Sequence, residues 1–399
     1  MILGMDVATP PERRSPAHRK RPPVWGAVLR ILILALIGAL VTGASAAAMM
    51  YHNISTNLVR HDISDFVPAG ERPTTPPPVD GARGRPINIL VMGSDARTGA
   101  SDIDGSGAAG EVTGMRSDTT MLVHISADRR RADVVSIPRD TLVDIPSCVL
   151  PDGTRTRAQY EAMFNSAFEI GGRTGDVGAA ASCTVRTVEE LTNIYIDGFV
   201  VVDFASFQDV VNTLGGVDVC LSEPVSDSYA GLELDAGCQT LNGEQALGLA
   251  RARKSLGDGS DISRINRQQQ IVGAIVTKAL SLNLVGDLPA LYGMVESLSA
   301  HVETSTSLGS ISELAGLAYS LRNISLDDIT MVTMPFEPAG HRVVPAYAAG
   351  EVWEAIIHDQ PLPDIQTQNS AQSPILEGTK TEIEQFQSAV GGGVRLEDS

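Results

Sequence analysis

Apolar and polar positions along this chain follow three patterns. The first is an unbroken apolar stretch. From Ile31 to Met50 no residue is charged, and a helix needs about 20 such residues to cross a bilayer. The second is the short apolar run of a buried strand, seen at Ile87–Gly93, Thr119–Ser126, Ala132–Ile137, Phe199–Phe204, Val217–Leu221 and Ile329–Met334. The third is helical spacing, which predicts helices over 157–170 and 177–192, and from Phe204 to a Gly215-Gly216 stop. It continues over 261–283, 287–299 and 308–322. Asn242-Gly243-Glu244 reads as the start of a short helix running into a strand that carries Arg251 and Arg253. Asp128–Arg131 reads as the turn between the second and third strands.

Strands alternating with helices predict an α/β fold, a mixed central sheet covered by helices on both faces, preceded by a single transmembrane helix. Five regions follow. Residues 1–23 form a polar basic tail, and 24–50 a transmembrane signal-anchor. Residues 51–85 form a Pro-rich linker, with Pro68, Pro73, Pro76, Pro77 and Pro78 as a stiff spacer. Residues 86–360 form the globular domain. Residues 361–399 are a polar tail without apolar period, expected to be disordered.

Charge refines the topology. The formal net charge is −18, yet residues 1–50 carry Arg13, Arg14, Arg19, Lys20, Arg21 and Arg30 against Asp6 and Glu12. Basic residues ahead of an apolar run keep the N-terminus in the cytoplasm and place the bulk of the chain outside. Small residues at Ala44–Ala48 offer the competing reading of a cleaved signal peptide, but the apolar run is longer than such peptides use. An acidic domain argues against nucleic acid as a partner, because counterion release needs a positive footprint.

Four cysteines, Cys148, Cys183, Cys220 and Cys238, contain no C-x-x-C pair, which argues against zinc or a thioredoxin-like motif. In an exported domain an even number suggests disulfides. Of three possible pairings, Cys148–Cys183 and Cys220–Cys238 are expected, since both close local loops.

Charged residues gather where strands end or loops begin, the usual place for ligands on an open α/β sheet. They are Asp95 and Arg97 after the first strand, Arg116 and Asp118 before the second, and Arg139 and Asp140 after the third. A fourth cluster comprises Arg251, Arg253, Arg264 and Arg267 with Gln268. Arg264 and Gln268 stand at i and i+4 and share a helix face. Asp95 and Asp118 together suit a hard cation, Mg²⁺ or Mn²⁺, which takes one or two carboxylates plus phosphate oxygens. The arginines outnumber these carboxylates, and their planar forks bind phosphate oxygens bidentately, so the implied ligand is a diphosphate. Nucleotide-cradle, serine-hydrolase and zinc-protease motifs are absent from the sequence.

In these stretches, Asn88–Arg97, Arg116–Thr119, Val135–Thr141, Leu241–Leu247, Arg251–Arg253 and Arg264–Gln269, the chain resembles the LytR-CpsA-Psr family of cell-wall glycopolymer ligases, over roughly 86–360. The resemblance implies a phosphotransferase. Its substrate would be a glycopolymer on a polyprenyl pyrophosphate carrier, moved with one phosphate to a cell-wall acceptor, usually peptidoglycan. It places Asp95 and Asp118 at the metal and Arg116, Arg139, Arg251, Arg253, Arg264 and Gln268 on the pyrophosphate. Arg97 and Arg267 lie beside these positions. Asp118 or Asp140 would take the proton from the attacking hydroxyl. The Gly-rich loop between Arg97 and Arg116 is longer than the family pattern, so Asp95 and Asp118 meet only if it folds back. Competing readings are a polyprenyl pyrophosphate phosphatase, a membrane-anchored regulator and a lipid-binding scaffold.

Overall fold

The computed structural model describes residues 24–75, 84–94, 115–221, 223–227, 231–252, 261–281, 302–308, 316–317, 320–321 and 324–364. The expected helix over 287–299, most of that over 308–322, and the expected C-terminal tail beyond residue 364 lie outside them. Two units separate along the chain, residues 1–52 and 53–399.

Helix α1 (Val24–Asn57) is 34 residues long, about 50 Å at 1.5 Å per residue. Trp25, Leu29, Leu32, Leu34, Leu36, Leu40 and Val41 on it are exposed. Counted over the described residues alone, no helix is long and apolar enough to cross a membrane.

The second unit is built on a seven-stranded sheet. Its strands are β1 (Val59–His61), β2 (Ile87–Ser94), β3 (Ser117–Ile125), β4 (Ala132–Ile137), β7 (Gly198–Val202), β12 (Glu303–Ser305) and β13 (Ile329–Thr333), in the order β1-β12-β7-β2-β3-β4-β13. β2 pairs antiparallel with β3 and parallel with β7, so the sheet is mixed, as expected. The turn expected at Asp128–Arg131 joins β3 to β4. Ser126 Oγ donates to Asp128 Oδ1 and Ser126 N donates to the Arg131 carbonyl, closing that hairpin.

Period two divides the core. Leu90 and Met92 of β2 face one layer, made with Leu122, Val135, Phe168, Ala180, Val188 and Trp353. Ile89 and Val91 face the other, with Val123, Ile125, Leu308 and Leu317. The first layer is α3 (Ser166–Gly171), α4 (Val177–Thr192) and a C-terminal helix α8 (Tyr347–Ile357). Asp176 caps α4 by accepting from Ala179 N at 2.7 Å.

A smaller second core holds Val211, Val219, Leu232, Leu241, Leu249 and Ile271. It lies among α5 (Phe204–Thr213), α6 (Gly243–Arg251), α7 (Asp261–Ser281) and the hairpin strands β8 (Val217–Leu221), β9 (Val225–Asp227), β10 (Leu232–Leu234) and β11 (Gly237–Leu241). Gly243 is required here, because a Cβ would strike the Gln208 backbone of α5.

Three expectations need correction. Residues 157–170 do not form one helix. Strand β6 (Gln159–Met163) pairs with β5 (Leu142–Ile145), and only then does short α3 begin. Cross-strand pairing with β5 outweighs the local helical spacing. Arg251 is not on a strand but ends α6. Asn242 and Gln245 form a reciprocal capping box that starts the helix, which then carries through to Arg251. Residues 59–72, expected as linker, are built into the fold. β1 pairs parallel with β12, and His61 Nε2 lies 2.6 Å from Glu303 Oε2. Gly178 of α4 leaves no room for a Cβ against the His61 ring. Arg72 grips buried Glu189 with Nε and Nη2, at 3.0 and 2.6 Å to Oε1, and its guanidinium lies 4.1 Å over the Tyr195 ring.

Both expected disulfides are formed. Cys148–Cys183 ties the loop after β5 to α4, and Cys220–Cys238 joins directly opposed residues of β8 and β11. Near the start of β2, a buried polar cluster fastens the residues after α8 to the β3–β4 hairpin. His124 Nδ1 lies 2.7 Å from Asn88 Oδ1, and its Nε2 lies 3.1 Å from Asp359 Oδ1. Arg131 bridges Asp359, at 3.0 Å, and Asp133. Burial pushes the Asp133 carboxyl up. Burial also works to raise Asp359, but hydrogen bonds from His124 and the Ala127 amide, with the charges of His124 and Arg131, together hold it below the usual carboxylate value.

Candidate active site

The site is built on the far end of β2, β3 and β4. Between β2 and β3 the register slips, so that Gly93 faces Thr119 while Ser94 faces Ser117. Asp118 is therefore the extra residue of a β-bulge, a device that re-aims a side chain. Thr120 of β3 faces Ile137 of β4, and two residues further along each strand Asp118 comes alongside Arg139. Arg139 Nη1 donates to Asp118 Oδ1 at 2.8 Å.

Arg139 sits on a tight turn. Thr141 donates from N and from Oγ1 to the Pro138 carbonyl, at 3.1 and 2.7 Å. Pro138 fixes φ at the entry. The turn is pinned to the start of α3, since Phe164 N donates to Thr141 O and Asn165 N to Arg139 O. Asp140 stands beside it, its Oδ1 3.7 Å from Arg139 Nε and 3.5 Å from Arg342 Nη1. Arg342 begins β15 (Arg342–Pro345), paired with β14 (Phe336–Ala339). Arg342, Asp140, Arg139 and Asp118 thus form a row of alternating charge. Arg116, just ahead of β3, is about half exposed and donates from Nε to Glu169 of α3 at 2.8 Å.

α7 reaches the same end of the sheet. Gln269 Nε2 donates to Ser136 Oγ of β4 at 2.9 Å and lies 3.3 Å from Thr333 Oγ1 of β13. Ser136 is three residues before Arg139. Arg264 and Arg267 of α7 are buried, and Gln268 is half-buried. Arg267 Nη2 donates to Ala252 O at 2.5 Å, tying the start of α7 to the end of α6. Next to Ala252, the guanidinium of Arg251 lies 4.7 Å over the Phe204 ring. Gln269 thus ties α7 to the ends of β4 and β13, and Arg267 ties it to the end of α6 that carries Arg251.

The structure brings together Asp118, Arg139 and Asp140, with Arg116 joined to α3 close by. It bonds α7 to Ser136 of β4 through Gln269, and to the end of α6 beside Arg251 through Arg267. Asp95, Arg97 and Arg253 lie outside the described residues, and with them the expected approach of Asp95 to Asp118. Among the described residues no cluster of three or more His, Cys, Asp or Glu is placed to hold a metal. Sequence reasoning missed Asn165, Glu169, Gln269 and Arg342. The first two fell inside a supposed long helix. Gln269 directly follows the expected site residue Gln268. Arg342 follows Gly340, whose positive φ of 67° marks a hairpin tip.

A family model described as the LytR_cpsA_psr family matches residues 42–358. Among similar proteins, the probable cell wall biosynthesis protein LcpB of Corynebacterium glutamicum is 33% identical over 49% of this chain. That alignment spans 42% of LcpB, less than half its length. The polyisoprenyl-teichoic acid–peptidoglycan teichoic acid transferase TagT of Bacillus subtilis is 31% identical over 64% of this chain and 70% of TagT. A solved structure of TagT bound to LIIa-WTA covers 73% of this chain and 98% of its own, at TM-score 0.51 and 24% identity. A LytR-Csp2A-Psr enzyme from Actinomyces oris covers 75% and 96%, at TM-score 0.50 and 21% identity. At these identities the two structures show a shared fold.

Proposed function

Since this chain belongs to the LytR_cpsA_psr family, we propose that it is a phosphotransferase moving a glycopolymer, with one phosphate, from a polyprenyl pyrophosphate to a cell-wall acceptor, peptidoglycan. The observation that carries the reading is Arg139, set between Asp118 and Asp140 on a pinned turn at the end of β4. The relative TagT, a polyisoprenyl-teichoic acid–peptidoglycan teichoic acid transferase, agrees with it.

Such a transfer is mainly positioning and charge stabilisation. An acceptor hydroxyl attacks the phosphorus nearer the glycan. A new P–O bond forms, the P–O bond to the prenyl phosphate breaks, and prenyl phosphate leaves. Arg139 and Arg116 neutralise the diphosphate, joined by Arg251, Arg264 and Gln268 in the same proposal. Asp118 or Asp140 takes the proton of the hydroxyl. Asp118, an oxygen ligand on a partly exposed bulge, suits a hard cation and would hold Mg²⁺ or Mn²⁺, which when bound adds positive charge at the phosphates.

Membrane anchoring with the N-terminus cytoplasmic belongs to the same proposal. It is supported by the uncharged stretch Ile31–Met50 and by the large apolar side chains that α1 exposes. Such a concentration of exposed apolar surface is unfavourable in water.

The test is transfer from a short prenyl pyrophosphate-linked glycan to peptidoglycan fragments, with products identified by mass spectrometry. Phosphoglycan on peptidoglycan is the expected product, and Arg139→Ala should nearly abolish it. Free phosphoglycan alone, in the same yield with and without peptidoglycan, would identify a hydrolase instead.

A further inference from the structure

Asn165 is 95% buried beside the Arg139 turn, yet its side chain does not cap α3 and its Oδ1 finds no donor among the described residues. It occupies the N-cap position of α3 but makes no side-chain cap, its backbone being αR with φ −64° and ψ −17°. A capping residue takes β-region angles and accepts from the second or third amide of the helix. Its Oδ1 is sealed from solvent and has no donor among the described residues. Buried polar groups of this kind are uncommon, and each costs stability in the unliganded protein. Its backbone, by contrast, is well placed, since its N–H donates to Arg139 O at 3.1 Å. One turn on, Glu169 holds Arg116, so the i and i+4 positions of α3 adjoin two expected phosphate-binding arginines.

We propose that Asn165 is a substrate-binding residue, donating from its carboxamide Nδ2 to a phosphoryl oxygen of the diphosphate that Arg139 holds. The inference rests on the transferase reading. Oδ1 is sealed without a partner while Nδ2 is not among such atoms, so Nδ2 is the end left to meet the ligand. A neutral donor there suits a phosphoryl oxygen, adding a directed hydrogen bond beside the cations.

Binding of farnesyl pyrophosphate in magnesium-containing buffer tests this, with wild type, Arg139→Ala, Asn165→Ala and Asn165→Asp compared, and thermal melting measured for each. Asn165→Ala should weaken binding about 10- to 100-fold, the worth of a hydrogen bond to a charged group. It should melt no lower than wild type, because no hydrogen bond of the side chain is lost. Asn165→Asp should bind at least as poorly, having lost the donor and added a negative charge.

Wild-type affinity in Asn165→Ala, while Arg139→Ala loses binding, overturns the inference and leaves the transferase reading standing. So does wild-type affinity in Asn165→Asp, which would assign an acceptor role. A fall in melting temperature of Asn165→Ala that accounts for its loss of binding makes the residue structural and likewise overturns the inference. Failure of the wild-type protein to bind farnesyl pyrophosphate overturns the transferase reading, and this inference with it.

Discussion

Arg139 reaches Asp118 across 2.8 Å because a bulge in β3 makes Asp118 an extra residue and because β4 ends in a turn that Pro138 and Thr141 close. Each partner orients the other before any substrate arrives. Removing either one should cost about 2.7–4 kcal/mol in the transition state, or 10²- to 10³-fold in transfer rate, on the scale of a lost oxyanion donor. Because the two touch, their effects should not add. A double-mutant cycle with Arg139→Ala and Asp118→Ala, read by the transfer assay, should return a coupling of about 0.5–3 kcal/mol.

Arg251 and Arg267 should separate by phenotype. Arg251 is half-buried over Phe204 at the end of α6, whereas Arg267 is fully buried and donates to Ala252 O. Arg267→Ala should lower unfolding stability by about 1–3 kcal/mol, since it strands a buried carbonyl. Arg251→Ala should leave the denaturation midpoint nearly unchanged and lower transfer. Denaturant titration alongside the transfer assay checks both.

The two disulfides should stabilise by similar amounts. Cys148 and Cys183 are 35 residues apart, and Cys220 and Cys238 are 18 apart. Loop-closure entropy gives about 3–4 kcal/mol for each, with the longer loop slightly ahead. Paired Cys→Ser variants, compared by denaturant midpoint, should show these losses, and dithiothreitol should reproduce them in the wild type.

Asp359 should make stability pH-dependent in acid. Its folded-state carboxyl is held below the usual value by His124, the Ala127 amide and Arg131. Asp133, which faces the same cluster through Arg131, is shifted the other way. A depressed carboxylate stabilises the fold above its unfolded pKa of about 3.9, and the contribution disappears as pH falls through the lower folded value. Asp359→Asn should therefore melt below wild type at pH 7. The gap should narrow steadily below about pH 4. Melting curves from pH 7 to pH 2 give the answer.

Much of the sheet was legible because its strands are short, mainly apolar runs. Residues 87–93 and 132–137 fall within β2 and β4, and α4 spans 177–192 as its period requires. The Asp118–Arg139–Asp140 grouping was legible as charges at strand ends. The bulge that joins them was not, since a one-residue slip leaves no mark in composition. Helical spacing misled at 157–170, where pairing with β5 decides the outcome. At Arg251, charge alternation suggested a strand, but the Asn242–Gln245 capping box decides for helix. Arg72 was read as spacer, because its partner Glu189 lies 117 positions away. A contact at that range has no local signature.

The Arg72–Glu189 clasp also sets where the chain can be trimmed. Glu189 is only 2% exposed at its side chain, so a fragment beginning at residue 86 would leave a carboxylate walled in without its cation. That same cut would strip β1 and lay bare the edge of β12. A soluble version of the protein should therefore start upstream of Val59, and one begun at the end of the proline run should express as aggregate.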